Sequence, residues 1–376
     1  MKPVLLFYCQ HSVGLGHLMR SYALCRALSA RFRVVLVTGG QAPAGIDPPD
    51  DLEVVALPPL GVGADGRFES HDRRFSVERA WAARREQILA TFDELDPAVV
   101  LLELFPFGRA KFARELVPLL EAARASGAVT ACSLRDILVS RRSNQEEHDE
   151  RACALANAYF DSVLVHSDPS FARLEDTFGA RRRLAVPVHY TGFVVDGDDS
   201  AYDRGDHVLV SAGGGRVGGP LLRTAAAAQR ITGVPMKLIA GPFCPEREWR
   251  ALEATAHDGL ELVRTVPDLG AELRRACASV SQCGYNTALE IVQARVPALV
   301  VPYATREEDE QRRRARRLAR LGALRVLDGD RLDPVTLAAS IEAVLGFAPA
   351  DPAIDLGGAP RTTELLEQLV HSVEAA

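Results

Sequence analysis

Short apolar runs alternate with amphipathic segments along the first half of the chain. Uninterrupted apolar runs of this length are typical of strands that are buried on both faces of a parallel sheet. They cover residues 3–9, 32–40, 52–60, 98–105, 129–134 and 162–167. Between them, apolar residues recur at helical spacing in segments 17–30, 76–95 and 113–127. This alternation predicts a parallel sheet whose strands are joined by right-handed helical crossovers.

The pattern breaks between residues 180 and 207 and then starts again. The break is polar and rich in turn-forming residues, which indicates an interdomain linker. Beyond it, the pattern predicts strands at 208–215, 236–242, 260–266, 278–284, 297–303 and 323–329, and helices at 219–231, 269–277, 286–295, 306–322 and 362–376. The sequence therefore predicts an α/β fold with two Rossmann-like, doubly wound domains, 1–190 and 191–361, that face each other across a cleft. Ligands of such sheets bind beyond the carboxyl ends of the strands.

Composition and charge narrow the classes of function. The 376 residues carry a net charge of −6, so the chain has no basic field that would favour nucleic acid. Lysine occurs only at positions 2, 111 and 237, which disfavours a Schiff-base cofactor and leaves arginine or backbone amides to bind phosphate. The seven scattered cysteines are typical of reduced thiols, and no apolar run is long enough for a transmembrane helix. We therefore expect a cytoplasmic protein.

A glycine triplet follows the strand that opens the second domain. Gly213, Gly214 and Gly215 would allow backbone amides to approach a phosphate group, because glycine has no Cβ and tolerates positive φ. A tight connection from strand to helix, with no ligand, explains the same triplet. The sequence leaves both interpretations open.

A second turn, in the segment "SQCGYNTALE" (281–290), leads into a predicted helix. Gly284 permits the turn, and Tyr285 or Asn286 can cap the helix, whose N-terminus favours a bound anion. Glu290 lies one helical turn beyond Asn286, about 6 Å along the axis. The ribose of a nucleotide whose diphosphate bound the amides would reach that carboxylate. The alternative is a capped helix with an exposed acid in its first turns.

The first domain offers charged candidates at the predicted strand ends. In "GLGHLM" (14–19), Gly14 and Gly16 allow a tight turn and place His17 at a helix start, where a neutral imidazole can act as a general base. A plain helix cap explains the same histidine. Other charged residues follow later strands, and peripheral salt bridges explain each of them equally well: Glu103, Arg109, Arg135 and Asp136.

Two further patterns are better explained by ordinary structure. "DGD" occurs at 196–198 and at 328–330, where turn chemistry explains it better than a bound metal. The arginine-rich segment 307–320 pairs acids with arginines at i,i+4 spacing, which predicts a helix whose charges pair with one another. The expected pairs are Glu308 with Arg312, Asp309 with Arg313, and Glu310 with Arg314.

These motifs together resemble glycosyltransferase family 28, a family that includes the N-acetylglucosaminyltransferase of the peptidoglycan lipid precursor. The resemblance covers nearly the whole chain. It is strongest in 281–322, which is similar to the nucleotide-sugar half of the family, and 11–28 is similar to its N-terminal glycine-rich loop. "FPFGR", "SLRDIL" and "GPF" also resemble segments of predicted soluble bacterial glycosyltransferases of this type. The low lysine and high arginine content fits a bacterial source.

The resemblance implies the GT-B architecture and a role for each matching residue. Glu290 would bind the ribose of the sugar donor, Gln311 the sugar hydroxyls with Arg306 beside it, and His17 would be the base. The diphosphate would contact Gly213, Gly214 and Gly215 and the amides of Gly284, Tyr285 and Asn286. The final helix would return to the first domain. Cys283 and the extra acid in "TREEDEQ" (305–311) depart from the family pattern and leave the identity of the sugar open.

The expected reaction is an inverting sugar transfer, without metal or cofactor, from a nucleotide sugar, expected to be UDP-linked. His17, or else Glu103 or Asp136, would deprotonate the acceptor. The expected partners are this donor and a small-molecule or lipid-linked acceptor, with peripheral membrane contact allowed, in a monomer or homodimer. Phe105 and Phe107 would face an apolar acceptor or belong to the core. The alternatives are a sugar-nucleotide epimerase on the same fold and a non-catalytic nucleotide-sugar-binding protein.

Overall fold

The protein contains two parallel sheets that follow one another along the chain. A computed structural model describes residues 2–11, 15–63, 66–197 and 203–374. In the described first half, the strands are β1 (Val4–Cys9), β2 (Arg33–Thr38), β3 (Glu53–Ala56), β4 (Leu60–Val62), β5 (Phe68–Ser70), β6 (Val99–Glu103), β7 (Val129–Arg135), β8 (Ser162–His166) and β9 (Val188–Tyr190). The helices there are α1 (Gly16–Leu28), α2 (Val77–Leu95), α3 (Ala113–Ser126) and α4 (Gln145–Tyr159).

The second half repeats the alternation of strands and helices. Its described strands are β10 (Val208–Ser211), β11 (Met236–Ile239), β12 (Leu260–Val263), β13 (Ala278–Ser281), β14 (Ala298–Val300) and β15 (Arg325–Val326). Its helices are α5 (Gly219–Thr232), α6 (Glu246–Glu253), α7 (Leu269–Arg275), α8 (Tyr285–Ala294), α9 (Glu310–Arg320), α10 (Pro334–Leu345) and α11 (Gly358–Glu374). None of the helices in the described residues is both long and apolar enough to cross a membrane.

The strand orders are those of doubly wound folds. The first sheet has the order β3-β2-β1-β6-β7-β8-β9 and the second β12-β11-β10-β13-β14-β15, while β4 and β5 form a separate antiparallel hairpin. Neighbouring strands in both large sheets run parallel, so helices must cover both faces of each sheet. The predicted α/β fold class with two Rossmann-like units is confirmed.

Alternate residues along each strand supply the two sides of the core. In β1, Leu6 and Tyr8 face α2 and α3, while Leu5 and Phe7 face α1. The second sheet buries α5 and α10 on one face and α7, α8 and α9 on the other. Phe105, which was expected in the core or at an apolar acceptor, is fully buried.

The last helix, α11, packs on the first half. Ala359, Leu366 and Val370 join the core formed by α1 and the first sheet. The chain crosses between the halves twice, first near Val194 and again near Gly357. These two residues pair as an isolated antiparallel bridge. The C-terminal segment therefore completes the core of the half that is made first.

The structure also contains elements that the apolar pattern did not indicate. β9 lies inside the predicted linker, since Val188 and Tyr190 extend the first sheet beside β8. Helices α4, α6 and α10 have no counterpart among the predicted helices. Of the three, α10 had a clear signal in the sequence: Asp333 caps its first amides and Pro334 occupies its first position.

Candidate active site

The strand order of each sheet reverses at one point among the described strands, and the candidate residues collect there. The first sheet reverses between β1 and β6, and the second between β10 and β13. Ligands of open parallel sheets bind outside the carboxyl ends of the strands at such a point. The chain after β1 leads to His17, and Glu103 ends β6. The turns after β10 and β13 carry the glycine triplet and Gly284.

His17 and Glu103, named separately as candidates from the sequence, form a pair. Nδ1 of His17 lies 2.7 Å from Oε1 of Glu103. The Glu103 side chain is fully buried at the end of its strand, while the His17 side chain is 18% exposed at the start of α1. A buried acid thus fixes an imidazole that remains accessible. We call this pair the His17–Glu103 dyad.

The charges around the dyad set its protonation state. Burial lowers the pKa of His17 to about 4, helped by Arg109 and Arg20 and opposed by Glu103. Burial alone would raise the pKa of Glu103, but His17, Arg20 and Arg109 hold it at about 2. At neutral pH the carboxylate can therefore only accept a hydrogen bond, so Nδ1 of His17 carries the proton and Nε2 keeps its lone pair. This is the tautomer that a general base needs.

Arg20 completes the dyad and was not among the residues predicted from the sequence. Its side chain is buried and its Nη2 donates to Oε1 of Glu103. It follows His17 by three positions, so the two side chains lie on neighbouring turns of α1. Its position could have been noticed in the sequence, because Arg20 is a charged residue on the otherwise apolar buried face of α1.

The remaining acceptor-side candidates are two arginines and two glycines. Arg109 adopts a left-handed backbone (φ 56°), and its Nε is buried without a hydrogen-bond partner among the described residues. Nη2 of Arg135 lies 3.4 Å from Oε1 of Glu310. Gly16 is the first residue of α1, whereas Gly14 lies outside the described residues.

The glycine triplet of the second half forms a turn whose packing requires glycine at one of its positions. Gly213 and Gly215 have φ values of 58° and 89°. A Cβ on Gly215 would collide with the carbonyl oxygen of Ala240, whereas a Cβ on Gly213 would meet no atom within 4 Å. Close packing therefore requires Gly215, and the face at Gly213 is free for a ligand. Gly214 lies between them, half-buried.

Helix α8 begins without a side-chain cap. Gly284 is the N-cap residue, and no side chain caps the helix there, so the prediction that Tyr285 or Asn286 caps it is wrong. Tyr285 is instead buried between the halves, and Asn286 reaches across the cleft. A Cβ on Gly284 would meet no atom within 4 Å. The uncapped amides and the helix dipole thus favour a bound anion at this end of α8.

Glu290 lies on α8, five residues beyond Tyr285, the first residue of the helix, with one oxygen unpaired. Its Oε2 is buried without a hydrogen-bond partner among the described residues. Burial, together with Asp268 and Asp196, raises the pKa of this carboxyl group to about 7. An unpaired buried oxygen costs free energy, which hydroxyl groups of a ligand could recover.

Gln311 and Arg306 are placed differently from each other. Oε1 of Gln311 accepts from the amides of Cys283 (3.1 Å) and Tyr303 (3.0 Å), so it ties together the turns after β13 and β14. With Oε1 engaged in this way, Nε2 is the atom of this side chain that is left to contact a ligand, as a donor. Arg306 lies exposed in the segment before α9. The structure thus places Gln311 next to the N-terminus of α8. The Arg306 side chain makes no hydrogen bond or ion pair with the described residues.

Asp136 joins the two halves through a buried ion pair. Its two carboxylate oxygens accept from Nη2 and Nε of Arg314, each at 2.8 Å, and both side chains are buried. Burial and the bidentate ion pair with Arg314 disfavour the candidate role of Asp136 as a catalytic base, because the guanidinium holds both oxygens away from a substrate. They also weaken the epimerase alternative, which would use this carboxylate.

The predicted self-pairing along α9 is also largely wrong. Arg313 does pair with Asp309, at 3.0 Å. Arg314 instead binds Asp136, and Glu310 pairs with Arg135, both across the cleft. The i,i+4 spacing offered plausible local partners, and docking of the two halves supplied better ones.

The two candidate sites meet directly. Nδ2 of Asn286 donates to the carbonyl oxygen of Gly16 at 3.2 Å, which joins the N-terminus of α8 to the N-terminus of α1. Gly16 immediately precedes His17 in the chain. An anion bound at α8 would therefore lie beside the imidazole of the dyad.

Known proteins resemble this chain in sequence. Residues 251–351 match the family model described as glycosyltransferase family 28 C-terminal domain. The UDP-N-acetylglucosamine--N-acetylmuramyl-(pentapeptide) pyrophosphoryl-undecaprenol N-acetylglucosamine transferase of Chromohalobacter salexigens is 25% identical over 346 residues, which cover 88% of this chain and 85% of the relative.

Solved structures resemble it in fold. The calicheamicin glycosyltransferase CalG4 is 19% identical, with a TM-score of 0.61 and 99% of each chain covered. MurG of Acinetobacter baumannii is 15% identical, with a TM-score of 0.59, covering 97% of this chain and all of that one. The GT-B architecture and the likeness to family 28 that were predicted from the sequence are thereby confirmed.

Proposed function

We propose that this chain, a family-28-like glycosyltransferase of the GT-B fold, transfers a sugar from a UDP-linked donor to an acceptor hydroxyl with inversion at the anomeric carbon. The observation that carries the proposal is the contact between Asn286 and Gly16. It brings an uncapped helix N-terminus, suited to a diphosphate, to the side of a histidine that is oriented as a base. We propose UDP as the nucleotide of the donor because the name of the Chromohalobacter salexigens relative includes a UDP sugar.

The donor would bind in the second half. Its diphosphate would lie against the amides that open α8 and the glycine triplet, and its ribose hydroxyls would donate to Glu290. Nε2 of Gln311 would donate to the sugar. These groups neutralise the diphosphate without a metal ion, because peptide amides and the helix dipole supply the positive potential.

The acceptor would be activated in the first half. Nε2 of His17 accepts the proton of the acceptor hydroxyl while Nδ1–H remains bonded to Glu103, which stabilises the imidazolium as it forms. The acceptor oxygen bonds to the anomeric carbon as the bond from that carbon to the diphosphate breaks. The electron pair leaves with UDP, and a single displacement of this kind inverts the configuration. The acceptor can be a small molecule or a lipid-linked one, met in the cytoplasm or at its membrane surface.

Binding and stereochemistry test the proposal together. UDP-N-acetylglucosamine and UDP-glucose should raise the melting temperature of the protein more than the matching GDP or TDP sugars, since a bound ligand stabilises the folded state. Incubation of the preferred donor should release UDP, with water or an added alcohol as acceptor. Proton NMR of the first product should show the anomer opposite to that of the donor. EDTA should not reduce the rate.

Three results would contradict this function. Conversion of the donor to its epimer with no release of UDP would indicate an epimerase. Binding with no turnover of any donor would indicate a non-catalytic sugar-nucleotide-binding protein. Retention of the anomeric configuration would exclude single displacement.

A further inference from the structure

Tyr285, the first residue of α8, is inserted into the first half of the protein. Its hydroxyl donates to the carbonyl oxygen of His166 at 3.0 Å and accepts from the amide of Val194 at 3.0 Å. The ring is 5% exposed and packs beside Phe193. Burial raises the pKa of this phenol well above its ordinary value, so it stays neutral and keeps its donor proton.

The ring of Tyr285 also holds a cation of the first half. Cζ of Arg20 lies over this ring, 5.0 Å from its centroid. The same guanidinium binds Glu103, which in turn orients His17. An arginine held on an aromatic face is attracted by the ring and loses few of its orientations. A continuous series of contacts therefore runs from the first residue of the donor helix to the base.

We propose that Tyr285 is a positioning residue: its ring holds Arg20 against Glu103, so that His17 is aligned only while α8 is docked on the first half. The inference rests on the proposed function, in which α8 binds the diphosphate and His17 is the base. Bound UDP would strengthen the docking of α8 and thereby sharpen the alignment of the dyad. Because these contacts lie in the interface, the base is disengaged when no donor is bound. This coupling explains why they are kept there.

Two substitutions at one position separate the ring from the hydroxyl. Tyr285→Phe keeps the aromatic face and removes both hydrogen bonds, whereas Tyr285→Leu removes the face. Without the aromatic face, Arg20 moves away from Glu103. The carboxylate is then less neutralised, and the guanidinium repels a proton on His17 less strongly. Tyr285→Leu should therefore raise the pKa of His17 by at least about 0.5 unit and lower kcat roughly tenfold. Tyr285→Phe should keep the pKa of His17 near that of the wild type.

The readout is the proton NMR titration of the His17 ring, assigned by comparison with His17→Gln, with and without UDP. Glu103, Arg20 and Arg109 are the charged groups that act on this ring. The titration needs no acceptor, so it reports on positioning even if transfer is never observed. If no turnover is observed but Tyr285→Leu still raises the pKa of His17 as expected, only the proposed function is contradicted.

Arg317→Gln is the matched control for a loosened interface. Arg317 crosses the same interface, donating to the carbonyl oxygen of Phe171 and to Asp176, each at 2.8 Å, but it is not in contact with the dyad. It should leave the titration of His17 unchanged. The proposal is overturned if Tyr285→Leu titrates like the wild type, or if Arg317→Gln shifts His17 equally. If Tyr285→Leu does not fold, Arg20→Lys replaces it, because an ammonium cannot both stack on the ring and bridge to Glu103; a wild-type titration in that variant also overturns the proposal.

Discussion

Two buried arginine–glutamate pairs lie on opposite faces of the first sheet, and they differ in how completely they are satisfied. In the Arg84 cluster (Tyr8, Gln10, Arg84, Glu115), Arg84 donates from Nε to Oε2 of Glu115 at 2.9 Å and from Nη2 to Oε1 at 2.6 Å. It also donates to Tyr8, Gln10 and the carbonyl oxygen of Gly39. Neither Arg84 nor Glu115 is left with an unpaired buried atom.

The dyad cluster (His17, Arg20, Glu103) is incomplete by comparison. Nε of Arg20 and Oε2 of Glu103 are buried without hydrogen-bond partners among the described residues, and one carboxylate oxygen serves both His17 and Arg20. Unsatisfied buried groups cost stability and persist where they serve another purpose. The contrast fits a structural role for the Arg84 cluster and the catalytic role that we propose for the dyad cluster.

The largest effect should come from breaking the satisfied cluster. Arg84→Met should lower the free energy of unfolding by roughly 4 kcal/mol, because Glu115 stays buried without its counter-charge. The double variant Arg84→Met with Glu115→Leu should recover much of the loss. Urea titrations measure both, and kcat of the folded protein should not change. A fall in kcat at intact stability would contradict the assignment of this cluster to structure.

Removing the base should have the opposite profile. His17→Ala should lower kcat roughly 10²- to 10³-fold, because general-base catalysis contributes effects of that size. Its unfolding free energy and its affinity for UDP should remain close to those of the wild type. His371→Ala, at an exposed position on α11, is the control. Full turnover in His17→Ala would remove this residue from the base role.

The pH response should separate the clusters further. The folded protein keeps His17 neutral down to about pH 4, whereas in the unfolded chain it binds a proton below about pH 6.5. The unfolded state therefore binds more protons between these values, and stability falls as the pH falls, by roughly 3 kcal/mol for this group. His17→Gln should flatten that slope in urea titrations. Arg84→Met leaves His17 in place, so the part of the slope that His17 contributes should persist in that variant.

Burial of His166, which lowers its pKa to about 3, adds a slope of the same sign. Because this histidine is unchanged in His17→Gln, the variant should retain part of the wild-type slope. A variant with the full slope would mean that His17 is protonated alike in both states.

The smallest effect concerns Glu290, which extends the comparison to the second half. Its unpaired oxygen places it with the dyad cluster, so its loss should affect ligand binding more than stability. Because an ionised carboxylate accepts hydroxyl hydrogen bonds best, affinity for the preferred UDP sugar should rise roughly tenfold between pH 6 and 8 in the wild type. Glu290→Gln should bind about tenfold more weakly at pH 8 and lose this dependence. Calorimetry checks both, and a pH-dependent Glu290→Gln would assign the titration to another group.

Much of the fold could be predicted from the apolar pattern, because long buried strands leave a clear signal. The strand predicted at 129–134 is β7, and the helix predicted at 76–95 is α2, each to within a residue. Helix α4 was missed because its buried apolar face consists of small side chains, among them Ala152, Cys153 and Ala156. β9 was missed because three residues in a turn-rich segment carry no periodicity.

The candidate site could be predicted in part. Glu103 stood out as a charged residue at a strand end, and His17 as a histidine at a helix start after a glycine turn. Their pairing depends on which strands are neighbours in the sheet. The pairing of Asp136 with Arg314 joins residues 178 positions apart, on different halves. No local pattern contains such a contact, since it forms only when two separately folded sheets dock.

The position of α11 has a consequence for how the protein is made. Leu366 and Val370 cover apolar surface of α1 and the first sheet, although they follow β9, the last strand of that sheet along the chain, by more than 170 residues. The first half is therefore synthesised well before α11, and that surface stays exposed to water until α11 has been made. During this interval the nascent chain is a natural client for chaperones.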